Sequence, residues 1–267
     1  MPVAPVAIVG VRFLNARPLL AGLEAAIPYP VPYTFATAEP ASCAEFLAKG
    51  EAQVSLVPVA SLATLNEVKA HSHFGVVADR ETTSVLLISK VPWPEIRVLA
   101  AHTASKTSVV LARLLLLAKG GAKPKVVPAA PPVEKMLQQA DAAVIIGDSA
   151  LTCPVIPGVT RWDLAAEWMR WQGLPFVFAV WGLRPGVDAG IGQLLGASLA
   201  YARAHWEQLL PVWASQHGME VERTREYLEH RLRYQLGEEE RRAVEEFLRL
   251  SQEYGLLPSR QGIWLDD

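Results

Sequence analysis

A chain of 267 residues that is 51% hydrophobic and 19% charged holds enough apolar material for a large buried core, which excludes general disorder. A formal net charge of −2 excludes a globally basic nucleic-acid binder and leaves any small anion to be held by local donors. No apolar run reaches the ~18 residues of a membrane span, and the opening stretch does not read as a basic, apolar and small-residue leader, so none is expected. Cys43 and Cys153 lie far apart without metal-ligand spacing. A cytoplasmic protein with no nucleic-acid or membrane partner is expected.

Val6 to Val11 reads as a buried strand, and the polar loop after it carries Arg12, Asn15 and Arg17. Pro18 disfavours helix at Arg17 and suits the first turn of a helix from Leu19 to Ala26. Strands are expected at Tyr33–Phe35, Gln53–Val57, His73–Ala78 and Thr83–Ser89, with helices at Glu39–Lys49 and Ser61–Val68 between them. Ile96 to Ala118 then reads as a strand, a small polar loop with Thr103, Ser105, Lys106, Thr107 and Ser108, and an apolar helix. That loop sits at a helix N-terminus, where unpaired N–H groups and the macrodipole favour an anion; ordinary capping by Ser or Thr is the competing reading. Further strands are expected at Lys125–Val127, Ala142–Ile146 and Phe176–Leu183, and helices at Val133–Gln139 and Trp162–Trp171. Beyond Pro185-Gly186 three amphipathic helices are expected, Ile191–Ser215, Glu220–Leu236 and Glu238–Tyr254, whose charged faces read as solvated surface or as a homodimer face.

Strands alternating with helices give an α/β fold with a parallel component. The apolar segments Thr83–Ser89 and Phe176–Leu183 flank the middle unit, so a two-lobed layout is expected: 1–88 with 182–267 as one discontinuous lobe, 89–181 as an inserted second lobe, and a ligand cleft between them. Each lobe is a mixed sheet flanked by helices, and the helical tail joins the first. Ligands of open α/β sheets lie beyond the carboxyl ends of strands. That rule selects Asn15, Arg17, Thr83, Ser84, the 103–108 loop, Gly147 and Asp148, with Phe178 at the return crossover. These are neutral donors for the most part, without an obvious general base. HExxH, paired CxxC, GxSxG, P-loop and GxGxxG motifs are all absent. His71 and His73 share a strand face but lack a third ligand, so no metal and no cofactor is expected.

Six segments in order carry a family resemblance: Val11-Arg12-Phe13-Leu14-Asn15-Ala16-Arg17-Pro18-Leu19, Gln53 to Ala60, Thr83 to Ser89, Thr103 to Ser108, Ile145 to Leu151 and Leu174 to Trp181. Together they resemble the chorismate dehydratases of the futalosine route to menaquinone. The chain departs from that pattern at Ala101-His102, where an acidic residue is expected, and at Lys106, where arginine is usual. The resemblance implies a type II periplasmic-binding-protein-like fold and a lyase that dehydrates chorismate to 3-[(1-carboxyvinyl)oxy]benzoate. Dianionic chorismate is then the expected partner. Asn15 is the expected catalytic residue, and Arg17, Thr83, Ser84, Thr103, Ser105, Lys106, Thr107, Ser108, Gly147, Asp148 and Phe178 are expected to bind substrate. A 1,4-dihydroxy-6-naphthoate synthase-like enzyme, or a cytoplasmic solute-binding or sensor protein of the same fold, is the alternative.

Overall fold

The computed structural model describes residues 4–102, 106–188 and 190–265. In chain order the elements are β1 (Val6–Val11), α1 (Arg17–Glu24), β2 (Tyr33–Ala38), α2 (Pro40–Lys49), β3 (Val54–Pro58), β4 (Lys69–Ala78), β5 (Val85–Ser89) and β6 (Val98–His102). There follow α3 (Lys106–Gly120), β7 (Lys125–Ala129), α4 (Val133–Gln138), β8 (Ala142–Ile146), α5 (Gly147–Leu151), β9 (Thr160–Asp163), α6 (Leu164–Gln172) and β10 (Phe176–Leu183). The tail comprises α7 (Ile191–Ala204), α8 (Trp206–Gln216), α9 (Val221–Arg225), β11 (Arg233–Gln235) and α10 (Glu238–Glu253). Short 3-10 turns at Leu14–Ala16 and Val59–Thr64 follow β1 and β3.

Two mixed sheets result. The first has the order β11-β4-β10-β3-β1-β2, with β1 parallel to β2 and β3, and antiparallel pairing from β3 through β10 and β4 to β11. The second has the order β7-β6-β8-β5-β9, with β5 antiparallel to both neighbours. Strands β3, β5, β8 and β10 are buried along their whole length, which is why they read as continuous apolar runs rather than alternating ones. The chain passes between the sheets in residues 79–84 and again in 173–175. The expected boundaries at 88/89 and 181/182 put β5 and β10 on the wrong sides: β5 hydrogen-bonds to the second sheet, and β10 to the first.

Four expected elements differ. Ser61–Val68 is replaced by the 3-10 turn Val59–Thr64, and Arg260 from the tail donates to the carbonyls of Leu62, Leu65, Asn66 and Val68 that the turn and the segment after it present. The first part of Trp162–Trp171 is strand β9, and Asp163 ends it by capping α6, its Oδ1 accepting the Ala166 N–H at 3.0 Å. The helix expected over Ile191–Ser215 breaks at His205 into α7 and α8. Glu220–Leu236 divides into α9, a π-helical turn at Glu226–Arg231 and the edge strand β11. The tail is anchored from beneath by Ser198 of α7, whose Oγ accepts the N–H groups of Gly22 and Leu23 and donates to the Leu19 carbonyl. A Cβ on Gly22 would stand 2.5 Å from the Ser198 Cα, so that close approach requires glycine.

Candidate active site

Between the sheets lies a narrow cleft whose cavity volume is about 50 Å³. The first lobe supplies Val11 and Phe13, Asn15 and Ala16 of the turn after β1, Pro58 at the end of β3, Val76 of β4, and Phe178 and Ala179 of β10. The second supplies Val85, Ile146, Gly147, and Thr107 and Ser108 from the first turn of α3. The residues at and after the carboxyl ends of β1, β3 and β8 turn toward one another here.

The lining carries no ionisable side chain among the described residues. Its polar groups are the Asn15 carboxamide and the hydroxyls of Thr107 and Ser108. The Asn15 Oδ1 is buried without a hydrogen-bond partner among the described residues, as a group reserved for a ligand would be. Thr107 Oγ1 accepts the Ala60 N–H at 3.1 Å and keeps its own proton to donate. Phe178 packs edge-on against Phe176, with ring centroids 4.9 Å apart, and forms an apolar wall. On the facing side Phe13 lies against Gly147, whose φ of +57° and 3.0 Å clearance to the ring disfavour a side chain.

The remaining predicted residues are distributed around this cleft rather than in it. Lys106 reaches the rim, where its Nζ donates to Thr64 Oγ1 at 3.0 Å, and partial burial lowers its pKa. Arg17 is turned away from the lining: its Nε donates to His217 Nε2 at 3.1 Å and its Nη1 pairs with Glu24 at 2.6 Å. Asp148 is likewise committed, Oδ2 to His217 Nδ1 at 2.7 Å and Oδ1 to the Leu14 N–H at 3.2 Å. Thr83, at φ +61°, spends its N–H on Asp163 and its hydroxyl on the Thr82 carbonyl, so it shapes the crossover. Ser84 is fully buried beside it, its carbonyl accepting the Gly147 N–H at 2.8 Å, and its side chain adjoins Tyr227. Thr103 and Ser105 lie outside the described residues. His71 stacks on Phe74 and His73 bonds to Ser72, and no group of three or more His, Cys, Asp or Glu could hold a metal among the described residues. His102 is half-buried with its pKa lowered by burial and its Nδ1 without a partner among the described residues, away from the lining.

This geometry meets the known proteins at one point. A family model described as menaquinone biosynthesis matches residues 6–253. The chain belongs to this family. A chorismate dehydratase of Thermus thermophilus is 31% identical over 169 residues, which are 55% of this chain and 60% of that protein. The match thus spans less than two thirds of that relative's length. Among solved structures, an Archaeoglobus fulgidus protein superposes with a TM-score of 0.77 at 13% identity, covering 95% of this chain and 98% of its own. The periplasmic aliphatic sulphonate binding protein of Escherichia coli gives 0.63 at 16%, covering 100% and 95%. A Candida albicans protein with the generic periplasmic binding protein fold gives 0.57 at 11%, covering 99% of each. At these identities the likeness is one of fold: two mixed-sheet lobes of the periplasmic-binding-protein kind. No helix among the described residues is long and apolar enough to cross a membrane.

Three residues that organise this family member's cleft escaped the sequence reading. Phe13 was visible only as part of a motif. Asp163 looked like an interior helix residue, although it accepts the Thr82 N–H and Oγ1 and the Thr83 N–H through one oxygen. His217 closes α8, far along the chain from the residues it joins, and nothing in its neighbours marks it. An Asp three residues before a buried helix position was the one signal available for Asp163.

Proposed function

We propose that the protein is a chorismate dehydratase, a cytoplasmic carbon–oxygen lyase that converts chorismate into 3-[(1-carboxyvinyl)oxy]benzoate and water. The observation that carries this reading is the unpartnered, buried Asn15 oxygen in a neutral cleft that opens onto the first turn of α3. Membership of the menaquinone biosynthesis family and the Thermus thermophilus relative support it. We take the lobes as residues 4–84 with 173–265, and 85–172.

In this reaction the C3–H bond breaks and its electron pair forms the C3–C4 double bond. The C4–O bond breaks, and the hydroxyl leaves as water with the released proton. Aromatisation drives the step, so the protein's task is to hold the ring, orient the leaving group and exclude water. The α3 terminus with Thr107 and Ser108 binds one carboxylate, aided by the nearby charge of Lys106. Ser84, whose N–H is held by Thr82 Oγ1 at the crossover, stays behind the lining and supports the wall of the cleft. Asn15 aligns the C4 hydroxyl, and Phe13 and Phe178 sandwich the ring. An amide is no base and the lining has none, so the substrate's enolpyruvyl carboxylate takes the C3 proton. Arg17 and Asp148 act on the geometry of the cleft and not on the ligand.

The test is direct. Purified protein incubated with chorismate should bleach the cyclohexadiene absorbance while a product lighter by one water accumulates. Saturable binding without turnover would replace the enzyme with a solute binder, and turnover of a different pathway intermediate alone would favour the naphthoate synthase-like alternative.

A further inference from the structure

The geometry points to His217 as a positioning residue that latches the two lobes together and holds the turn bearing Asn15. This rests on the dehydratase reading for its kinetic consequence, though not for its structural one. Asp148 stands at the junction of β8 and α5 in the second lobe, whereas Leu14, Arg17 and His217 all belong to the first. One carboxylate of Asp148 therefore spans the cleft mouth: Oδ1 receives the Leu14 N–H at 3.2 Å, and Oδ2 receives His217 Nδ1 at 2.7 Å. The order of donors is fixed. Arg17 Nε–H can only donate, so His217 Nε2 must accept, at 3.1 Å, and the ring proton must sit on Nδ1. In this arrangement His217 donates from Nδ1 toward Asp148 as it accepts from Arg17 at Nε2. Glu24 holds the far end of Arg17 at 2.6 Å, and the His217 side chain is only 6% exposed.

The consequence falls on the next residue. Leu14 opens the 3-10 turn Leu14–Ala16, and Asn15 is its centre. With Asp148 in place, the turn, the Gly147 backbone and Phe13 keep a single register, so the carboxamide faces the same part of the cleft as the α3 terminus. Without the His217 contact, Asp148 can rotate away from Leu14, and the turn is free to shift relative to the second lobe. Displacements of that kind near reacting atoms cost on the order of a hundredfold in rate.

The test compares His217→Leu, which fills the space without hydrogen bonding, with His217→Gln, which keeps one donor and one acceptor. Two readouts are taken: chorismate kinetics, and the distance between spin labels at the exposed sites Glu45→Cys and Lys135→Cys in a Cys153→Ser background, Cys43 being buried. His217→Leu should lower kcat about tenfold or more with KM changed by less than about threefold, and should broaden the interlobe distance. His217→Gln should recover most of both. Unchanged kcat and distance in His217→Leu would overturn the inference, as would equal impairment of both variants with an unchanged distance, which marks His217 as mere packing. Wild-type protein that leaves chorismate untouched would defeat the dehydratase reading alone, and the distance measurement would still decide the latch.

Discussion

The Asn15 carboxamide has an acceptor buried at the cleft without a partner, and an unmet acceptor of that kind costs about 1–3 kcal/mol in the free protein. A ligand hydroxyl that meets it removes the cost, which makes the group more valuable in the complex than in the free protein. Asn15→Ala should therefore lower kcat about a hundredfold with little change in KM, as steady-state kinetics would show. Ser108→Ala should do the reverse, raising KM about tenfold with kcat nearly kept, because the proposed reading gives its hydroxyl a carboxylate to bind at the α3 terminus. Near-normal turnover in Asn15→Ala would remove it from the chemistry. Gly147 gives a third check at this scale. At φ +57°, with Phe13 3.0 Å from where a Cβ would stand, Gly147→Ala should destabilise the protein by about 1–2 kcal/mol in denaturant titrations.

Among the elements, the junctions are held by carboxylates that accept backbone N–H groups. Asp163 caps α6 through one oxygen and gathers Thr82 and Thr83 through the other, so Asp163→Ala should cost about 2–4 kcal/mol and loosen the crossover. Asp141 does similar work at the start of β6, where its Oδ2 accepts the N–H groups of Arg97 and Val98 at 2.8 Å each. Those bonds hold its pKa below the ordinary 3.8. A depressed carboxylate contributes stability above the unfolded-state value and loses it as pH falls through 3.8 toward the folded value. Denaturation midpoints should accordingly fall more steeply on acidification in the wild type than in Asp141→Asn; parallel profiles would exclude the contribution.

The elements also show what a sequence can disclose. Strands β1, β3, β8 and β10 and helices α2 and α3 were legible because burial on both faces, Pro40 at a helix start and Gly50 at a helix end are local signals. Strands β9 and β11 were not. β9 owes its conformation to pairing with β5, and β11 is three residues long and pairs with β4 at the sheet edge, so both depend on partners distant in the chain. In the same way, the loops that form the cleft were found by their position after strands, and Asn15, Thr107, Ser108, Gly147 and Phe178 meet there. Arg17 and Asp148 come from the same loops, but their partner is a histidine some 200 residues from Arg17 in sequence.

For the molecule as a whole, the cleft proposed to take the ligand is also where the two lobes touch. Thr107 with Ala60, Lys106 with Thr64, and Asp148 with Leu14 and His217 are tied across the cleft. A dianionic benzoate analogue of the product should stabilise the wild type against heat by about 2.7 kcal/mol at a hundredfold excess over its Kd. It should stabilise Ser108→Ala less at the same concentration, which differential scanning calorimetry would resolve.

Arg260 brings the last part of the chain into this contact. Its guanidinium holds the carbonyls around the Val59–Thr64 turn, the same turn that offers Ala60 to Thr107 and Thr64 to Lys106. A protease nick or a bulky affinity tag that displaces residues 258–264 would therefore disable the cleft from behind, leaving every residue that lines it intact.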